Sequence, residues 1–513
     1  MPPPGRTQVR DQPSEKRTKV ILAPEEARNT PFLQWDGMDL SGVGLRLISP
    51  RICTIRCLTS LYLNQNHLDS IPPEIAALDN LEMLDLSHNE IQTIPPEMGK
   101  MRGLRELLLF ANQLRSLPFE LGLLYQLHTL GLHGNPLEEP INTYAMEGTD
   151  SVLTYLLDNA QIQAEPPKRE HQRPLRTSFR EGDAPAAAFT VLCYNVLCSK
   201  YATRQIYAYC PSWALEWDYR KKMILDEIKA KDSDIILLQE VEMCEFYAYF
   251  QPELHQKGFE GMFSAKSRAR TMRERDRKSV DGCAIFFKCD IFEKQKELLV
   301  EFERQAAQLS AGSADMLNRV MPKDNIAIGA VLLHKPSKTP IFVGNGHLHW
   351  DPTFKDVKVV QAAMLVNEIA KFVDEPGKPR MPILLGGDFN SEPDSGVFKL
   401  LADGNVPLDH PDLSDRDYAK FAEQVGFKHD LKLRSCYNGE LPHTNYTADF
   451  KGIIDYIFYS VDGMAPMQVL GPIPLDLMSS FDGCPNPHFP SDHLPLYAEI
   501  ALTKPVQAVD NKS

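Results

Sequence analysis

The chain has 513 residues, of which 43% are hydrophobic and 24% charged, and it carries a net charge of −14 at pH 7. This length predicts two or three domains, and the hydrophobic content is high enough for each to bury a core. A protein that held nucleic acid chiefly by attraction to its phosphates should be basic, so the acidic balance disfavours a passive nucleic-acid-binding module. It does not exclude a nuclease whose metal ions supply the positive charge at the site.

Cysteine usage and the chain start indicate an intracellular protein. The ten cysteines contain no CxxC pair and no regular spacing, which is typical of reduced thiols and not of a disulfide framework or zinc site. The opening MPPPGRTQVRDQP has no apolar segment suited to a signal peptide, and no stretch is long enough to cross a bilayer. We therefore expect a cytoplasmic protein that is also nuclear, with residues 1–30 as a disordered lead and 504–513 as a tail.

A 23-residue repeat begins after the lead. Four units share the pattern L-x-x-L-x-L-x-x-N-x-L, and the same position in each holds an asparagine: Asn66, Asn89, Asn112 and Asn135. The pattern predicts a leucine-rich-repeat solenoid over residues 31–160, in which each unit forms a short strand and its asparagine bonds the backbone at the turn. An earlier unit starts at Trp35 but has Val43 where asparagine belongs. We expect that unit to be an atypical cap.

The predicted solenoid carries no chemistry of its own, and solenoids of this kind bind partners on their concave surface. Residues 31–158 hold 16 acidic and 7 basic side chains, a net of −9, which should repel RNA and favours a protein partner. The alternative is that the repeat only stabilises or solubilises its neighbour. Residues 141–160 are expected to be helical and to close the last repeat, and 161–188, rich in proline and charge, to form a linker.

From residue 189 to 503 the chain becomes strand-rich. Helices are expected at 219–229 and 356–372, and strands at 189–197, 234–241, 282–288, 326–333, 340–349, 382–389, 453–460 and 494–502. Many buried strands with interspersed helices predict a layered α/β sandwich.

The segment 381–393, MPILLGGDFNSEP, is the centre of the candidate site. Its apolar run predicts a buried strand, which Gly386 and Gly387 are expected to end. Asp388 and Asn390 follow at the strand end, where side chains on an open sheet converge on ligands. A carboxylate and an amide oxygen suit Mg²⁺ or Mn²⁺. An Asx turn after a core strand is the alternative interpretation of the same residues.

Polar residues recur at the edges of the other predicted strands, at Asn195, Glu240, His347, Asp455, Asp492 and His493. Any one of them is common as a structural residue. Together they offer carboxylates for a metal ion, an amide for a phosphate and a histidine close to an aspartate.

The segments LQE, GGDFN, IDYIF and SDH, in that order, resemble the endonuclease/exonuclease/phosphatase superfamily. Longer stretches, among them CYNVLCSKYATRQIYAYCPSWALEWDYRKK, VDGCAIFFK, HLHWDP and LPHTNYTADFKGIIDYIFYS, are similar to the carbon catabolite repressor type poly(A) deadenylases. The resemblance spans residues 35–503. It implies a four-layer, DNase I-like α/β sandwich over 189–503. It also implies a Mg²⁺-dependent 3′-to-5′ exoribonuclease that shortens mRNA poly(A) tails and releases 5′-AMP.

The resemblance further implies a role for each polar residue. Glu240 would hold one or two Mg²⁺ ions, with Mn²⁺ as a substitute, and the full metal set would be Glu240, Asp388, Asn390, Asp455 and Asp492. Asp455 would orient His493 against the scissile phosphate. Asp388 is our candidate base for the attacking water. The donors to phosphate oxygens would be Asn195, Asn390 and His347.

Selectivity for adenine would come from stacking and contacts to the base edge. Phe450 would supply the ring, Pro352 would pack on the opposite side, and Asn445 would contact the edge of the base. Glu240, His347 and Asn390 would also touch the substrate. Asp276 stands where relatives have glutamate, so its substrate contact would be one methylene shorter.

Three alternatives remain open. The run 266–278, KSRARTMRERDRK, either follows the RNA backbone or is a solvated surface. The enzyme could instead be a phosphatase or phosphodiesterase acting on a small phosphate ester, or the chain a non-catalytic adaptor. For the repeat, the resemblance implies binding to a second deadenylase subunit and through it to a larger Not-type scaffold.

Overall fold

The structure is a computed structural model that describes residues 36–161, 168–179, 185, 187–310, 312–413 and 416–503. The expected lead, Trp35 and the expected tail lie outside these residues. The chain divides after Ala160 into two compact units. Within the described ranges, no helix combines the length and apolar character needed to cross a bilayer.

The first unit is a solenoid on a parallel five-stranded sheet. Its strands are β1 (Gly37–Asp39), β2 (Ser60–Tyr62), β3 (Met83–Asp85), β4 (Glu106–Leu108) and β5 (Thr129–Gly131), each paired with the next. Short 3-10 helices return the chain at Ile52–Thr54, Pro73–Ala77, Pro96–Lys100 and Phe119–Leu123. Two helices follow, α1 (Ile141–Glu147) and α2 (Thr149–Asp158), where one was expected. Gly148 separates them with a φ of 125°, a conformation that glycine adopts without strain.

The repeat asparagines bond the backbone as predicted. Asn89 Nδ2 donates to the carbonyl oxygens of Leu63 and Leu86, both at 3.0 Å, and its Oδ1 accepts from the Leu68 amide at 3.0 Å. The same three-way pattern recurs at Asn66, Asn112 and Asn135. The leucines of each unit fill the interior. The leucine-rich-repeat prediction is confirmed.

The second unit contains two mixed sheets and a small hairpin. Its strands are β6 (His171–Gln172), β7 (Ala187–Asn195), β8 (Ile235–Glu242), β9 (Phe259–Ala265), β10 (Asp281–Lys288), β11 (Phe292–Glu301), β12 (Ile326–His334), β13 (Thr339–His347), β14 (Ile383–Asp388), β15 (Leu433–Ser435), β16 (Asn445–Tyr446), β17 (Lys451–Gly452), β18 (Asp455–Ser460), β19 (Met464–Leu470) and β20 (Leu496–Leu502). One sheet has the order β6-β19-β20-β7-β8-β10-β9 and the other β11-β12-β13-β14-β18-β15, while β16 pairs with β17.

Helices of the second unit lie between these strands. They are α3 (Ser212–Leu215), α4 (Trp217–Lys231), α5 (Met243–Glu245), α6 (Gln251–His255), α7 (Glu274–Arg277), α8 (Phe302–Leu309), α9 (Lys355–Val373), α10 (Gly396–Asp403), α11 (Ala419–Gln424) and α12 (Leu475–Met478). Short 3-10 segments occur at Ser267–Arg270 and Pro352–Phe354, and π-helical turns at Phe246–Phe250 and Met316–Val320.

The two sheets pack face to face between two helical layers. Their inner faces share one apolar core, with Leu237 of one sheet and Leu384 of the other among its members. Ile224 of α4 packs on the outer face of the seven-stranded sheet. Val360 of α9 does the same on the six-stranded sheet. The prediction of a four-layer, DNase I-like α/β sandwich is confirmed.

Seven strands of the second unit were not expected from the sequence: β6, β9, β11, β15, β16, β17 and β19. β9 and β11 lie at sheet edges, and much of β11 is exposed, so neither shows the apolar run of a central strand. β19 contains Pro466 beside a register shift, which interrupts its pattern. Part of the expected linker is also structured, because β6 pairs with β19 and Arg169 donates to the carbonyl oxygens of Gly471 and Pro495.

The two glycines before Asp388 do not end the strand that leads to the candidate site. β14 continues through Gly386 and Gly387 to Asp388, within the expected strand 382–389. A Cβ on Gly386 would lie 2.5 Å from Leu237 Cδ1 in the facing sheet. Glycine is therefore required by the close approach of the two sheets and not by a turn.

Candidate active site

Three of the predicted site residues lie side by side on adjacent strands of the six-stranded sheet. His347 of β13 pairs in register with Asp388 of β14, which pairs with Asp455 of β18. His347 Nε2 lies 3.7 Å from Asp388 Oδ2 and 4.0 Å from the Glu240 carboxylate. Its pKa is held well below the ordinary value, first by burial and then by Lys266, so the ring is neutral.

Asn195 links this row to the facing sheet. It ends β7, is fully buried, and its Nδ2 donates to Asp388 Oδ2 at 3.0 Å and to Glu240 Oε1 at 3.2 Å. One amide thus holds two carboxylates from different strands close together. The structure therefore brings Asn195, Glu240 and Asp388 together.

Glu240 reaches the cluster through a β-bulge. It was expected to end its strand, but β8 continues to Glu242. In the pairing of β10 with β8, Cys283 faces both Gln239 and Glu240, and Glu240 has a φ of 60°. A bulge of this kind re-aims a side chain, here into the cluster. The second carboxylate oxygen accepts the Cys198 amide at 2.9 Å, and burial raises the pKa of Glu240 despite the nearby charge of Lys266.

His493 and Asp455 form a hydrogen-bonded pair. His493 Nδ1 lies 2.8 Å from Asp455 Oδ2, which also accepts the Thr444 hydroxyl at 2.7 Å. Burial opposes protonation of His493, but the carboxylates of Asp455, Asp492 and Asp388 outweigh it and raise the pKa well above its ordinary value. The ring is therefore protonated at neutral pH, and its Nε2 is 3.7 Å from Asp388 Oδ2.

Asp388 both closes an Asx turn and faces the polar cluster, the two alternatives considered for it from the sequence. Its Oδ1 accepts the Asn390 amide at 2.9 Å, which closes an Asx turn, while its Oδ2 faces Asn195 and the two histidines. Asn390 has a φ of 49°, and its Nδ2 donates to the Leu348 carbonyl at 3.1 Å. Burial, and then repulsion by Asp455, raise the pKa of Asp388 to about 7.

Asp492 has one bonded and one free oxygen. Its Oδ2 accepts the Tyr207 hydroxyl at 2.8 Å and the Asn445 amide at 3.3 Å. Its Oδ1 is buried and has no hydrogen-bond partner among the described residues. Tyr207 was not singled out from the sequence, although it lies in the stretch 193–222 that carries the family resemblance. The Asn445 amide, expected at the base edge, bonds Asp492 instead.

The remaining predicted substrate contacts lie on exposed elements. Phe450 is 38% exposed in the turn between β16 and β17, where its amide bonds the Thr447 hydroxyl. Pro352 opens an exposed 3-10 segment, and Asp276 lies in α7, whose residues are exposed. The contacts of the described residues do not join Pro352, Phe450 or Asp276 to the buried cluster.

Comparison with known proteins agrees with this geometry. Residues 192–493 match the Endonuclease/Exonuclease/phosphatase family, and residues 56–114 match a leucine-rich repeat. The chain is 47% identical over 536 residues to the CCR4-NOT transcription complex subunit 6-like of Danio rerio, covering 97% of this chain and 95% of that protein. The chain belongs to the Ccr4 branch of the endonuclease/exonuclease/phosphatase family. The resemblance predicted from the motifs is confirmed.

Two further comparisons relate this Ccr4-family chain to a named exoribonuclease subunit and to a solved structure. It is 48% identical over 501 residues to the CCR4-Not complex 3′-5′-exoribonuclease subunit Ccr4 of Mycosarcoma maydis, covering 92% of this chain and 75% of that protein. The crystal structure of ANGEL2, a 2′,3′-cyclic phosphatase, in complex with adenosine-2′,3′-vanadate matches at 25% identity with a TM-score of 0.55. That match covers 66% of this chain and 99% of the other.

The buried cluster fits a divalent metal ion, on which nucleases of this family generally depend. Ligand atoms of Asp388, Asp455 and His493 all lie within 4.8 Å of one another. The Oδ1 of Asp492, which makes no hydrogen bond among the described residues, and the Glu240 carboxylate, whose side chain is 14% exposed, add oxygen donors. Because His493 Nδ1 is already bonded to Asp455, the carboxylates of Glu240 and Asp492 are the better candidates for ligands. Oxygen donors of this kind suit hard divalent cations.

Proposed function

We propose that this protein is a Mg²⁺-dependent 3′-to-5′ exoribonuclease that shortens poly(A) tails one nucleotide at a time and releases 5′-AMP. It acts as a subunit of a CCR4-Not-type complex, in the cytoplasm and the nucleus. The observation that carries the proposal is the single buried cluster in which Asn195 joins Glu240 to Asp388 beside the His493–Asp455 pair. Identity of 40–48% to proteins named Ccr4 exoribonuclease subunits supports it.

Each residue of the cluster has a part in the hydrolysis. Held by Glu240 and Asp492, magnesium supplies charge neutralisation at the phosphate and a lower pKa for water. Asp388, with its pKa raised to about 7, accepts the proton of the attacking water. The water oxygen bonds to phosphorus as the bond to the 3′ oxygen of the preceding nucleotide breaks, and that oxygen takes up a proton.

The donors of the cluster stabilise the charge on the phosphate. Protonated His493 donates from Nε2 to a non-bridging oxygen, and Asp455 keeps the ring oriented and charged. Asn390 and His347 are proposed as neutral donors to the same group. The two N–H bonds of Asn195 go to Asp388 and Glu240, so its part is to hold these two carboxylates together. Donors fixed in a site that excludes water are worth more than the same donors in bulk water.

Adenine is selected by the exposed hairpin. The Phe450 ring covers Gly452, where an added Cβ would lie 2.5 Å from the ring carbon Cζ. The ring therefore lies against the backbone at Gly452 and is 38% exposed, and an exposed ring of this kind is a platform for a stacked base. Pro352 on the opposite side and Asp276 complete the substrate contacts. The Asn445 amide is bonded to Asp492, and it reaches the base edge only by exchanging that bond. The repeat binds a second deadenylase subunit, and through it the Not-type scaffold.

The test is digestion of a 5′-labelled RNA with a 3′ oligo(A) tail by the full-length protein. We expect products shorter by single nucleotides, 5′-AMP as the released product, and complete loss of activity in EDTA with recovery in Mg²⁺. Glu240→Ala should lower the rate at least about 10³-fold, since it removes a metal ligand, without lowering the unfolding temperature. The matched control is Glu499→Ala on β20. If Glu240→Ala trims the tail at the wild-type rate, the assignment of the site is wrong.

The second candidate is a phosphatase or phosphodiesterase, favoured by the similarity to ANGEL2. The same protein is therefore incubated with an RNA ending in a 2′,3′-cyclic phosphate and, separately, with an inositol polyphosphate. We expect no release of phosphate from either. Release of phosphate without any shortening of the oligo(A) RNA would establish the second candidate instead.

A further inference from the structure

A second group of charges lies beside the cluster and has no part in the hydrolysis described above. Asp281, which opens β10, is fully buried and makes contacts with three cations. Its Oδ1 accepts from Lys200 Nζ at 2.7 Å and from Arg268 Nη2 at 2.5 Å. Its Oδ2 lies 2.6 Å from Lys266 Nζ. We call Lys200, Lys266 and Arg268 the cation triad.

The triad is attached to the segments that hold Glu240. Asp281 pairs in register with Glu242, two residues after Glu240 on β8. Lys200 lies two residues after Cys198, whose amide bonds the Glu240 carboxylate. The charge of Lys266 also opposes the upward shift in the pKa of Glu240. The triad therefore lies at the border of the catalytic cluster.

Two cations of the triad are not enclosed by the protein. Three carboxylates face the triad: Asp281 contacts all three cations, Asp324 binds the other end of Arg268 at 2.5 Å, and the charge of Glu240 acts on Lys266. The side chains of Lys200 and Arg268 nevertheless remain 33% and 31% exposed, while that of Lys266 is 9% exposed. Partly exposed cations that are fixed beside an acidic site are suited to hold an anion there.

We propose that the cation triad binds a backbone phosphate of the RNA on the 5′ side of the scissile bond. The inference rests on the proposed exoribonuclease function. An enzyme that removes one nucleotide from a 3′ end holds a leaving nucleotide whose only phosphate is the scissile one. Any further phosphate that it contacts belongs to the remaining strand, which lies 5′ of the cleavage. Asp281 is a positioning residue, because its carboxylate contacts all three cations and keeps them in place.

The test compares a long and a short substrate. Lys200→Gln and Arg268→Gln each remove one partly exposed cation, and oligo(A) is compared with the dinucleotide ApA, whose one phosphate is the scissile one. We expect KM for oligo(A) to rise about tenfold with little change in kcat, in the range for loss of one charge-assisted hydrogen bond. The values for ApA should change less than about twofold on the same reasoning. Lys371→Gln, an exposed cation on α9, is the matched control.

Salt dependence distinguishes phosphate binding from a structural role. Each lost contact to single-stranded RNA should reduce the slope of log(kcat/KM) against log[salt] by about 0.7. Lys200→Arg should restore both KM and the slope. If the triad only fastens β10, the variants will lower the unfolding temperature and reduce kcat/KM equally for both substrates, with no change in slope. That outcome would overturn the inference.

Equilibrium binding separates this inference from the proposed function. In an Asp388→Asn background, anisotropy of a labelled oligo(A) should give a Kd about tenfold weaker when Lys200→Gln is added. If the wild type does not shorten RNA, the proposed function fails, whatever the binding result. If the wild type shortens RNA but Lys200→Gln and Arg268→Gln leave KM, Kd and the salt slope unchanged, the inference fails and the function stands.

Discussion

Buried polar side chains occur in the repeat and in the catalytic cluster, and their hydrogen bonding differs between the two. In the repeat, Asn89 bonds three backbone groups of its own and neighbouring units, and this arrangement recurs every 23 residues. In the catalytic cluster, burial raises the pKa of Glu240 and of Asp388, and Asp492 Oδ1 has no hydrogen-bond partner among the described residues, with His493 Nε2 4.0 Å away. Burying such groups is costly in both places. The cost is offset locally only in the repeat.

The difference teaches which buried polar groups are structural and which are kept for a ligand. A polar group whose bonds are all made to the protein contributes to stability and has nothing left to offer a substrate. A buried carboxylate with a raised pKa and an unpartnered oxygen destabilises the fold until a cation or substrate joins it. Substitution of a fully bonded polar group should therefore lower stability and leave activity unchanged. Substitution of a carboxylate of the cluster should lower activity and leave stability unchanged or raise it.

The largest expected effect is on activity, from Asp388→Asn. We expect kcat to fall about 10⁴-fold, about 5 kcal/mol of transition-state stabilisation, because the base for the attacking water is lost. The unfolding temperature should stay the same or rise, since a buried carboxylate with a raised pKa is replaced by a neutral group. Single-turnover digestion and thermal unfolding measure the two quantities. A fall in stability with activity retained would show that Asp388 is structural.

The next effect is on stability within the catalytic unit, at a buried carboxylate whose bonds are all made. Asp356 accepts from Arg319 Nη2 at 2.7 Å, Arg319 Nε at 2.8 Å and the Tyr418 hydroxyl at 2.6 Å. Asp356→Asn should lower the free energy of unfolding at pH 7 by about 3 kcal/mol, because it leaves the arginine without its counter-charge. It should not change kcat.

The same pair has a defined pH dependence. Burial alone would raise the pKa of Asp356, but the bonds from Arg319 and Tyr418 outweigh it and hold the pKa below its ordinary value of 3.8. A carboxyl with a lowered folded-state pKa stabilises the protein above the unfolded value and loses that contribution as pH falls. The difference in the free energy of unfolding between wild type and Asp356→Asn should therefore be largest at pH 7 and become smaller below pH 3.8. A constant difference over that range would contradict the assignment.

The smallest effect is in the repeat. Asn89→Ala should destabilise the solenoid by about 2 kcal/mol, because it leaves the Leu68 amide and two carbonyl groups without their bonds. Asn80→Ala is the matched control, since its exposed side chain makes a single bond to the Arg56 carbonyl, and it should cost less than about 0.5 kcal/mol. Neither change should alter digestion of oligo(A). Denaturant unfolding of the full chain measures both. If Asn89→Ala and Asn80→Ala lower the free energy of unfolding equally, the buried asparagine contributes no more to stability than the exposed one, which contradicts the prediction.

Sequence was sufficient for the features that repeat or alternate. The 23-residue period predicted the solenoid and its asparagine bonds, and the apolar runs predicted most central strands. Residues as distant as Asn195 and His493 were assigned to one site from the order of the family motifs. Their spacing could not have shown this, because a single sequence does not give the pairing of β13, β14 and β18. Edge strands such as β11 were missed, since an exposed edge has no continuous apolar run.

The local geometry of the site could not be predicted for physical reasons. The bulge that aims Glu240 depends on how β8 pairs with β10, which are separated in the chain by β9. The Tyr207 and Asn445 bonds to Asp492 join segments distant in sequence. The first residues of the basic run were interpreted as surface or RNA-binding, and nothing in the sequence showed that Lys266 and Arg268 contact the buried Asp281. Each of these is a tertiary contact with no local sequence pattern.

The most direct test of the central claim is anomalous diffraction from crystals of the full-length protein soaked with Mn²⁺ and 5′-AMP. We expect a manganese peak with an oxygen of Glu240 within about 2.3 Å, as for a hard cation on carboxylate ligands, and the AMP phosphate beside His493. A manganese peak elsewhere, with Glu240 and Asp492 still without a cation at saturating Mn²⁺, would contradict the assignment of this cluster as the active site.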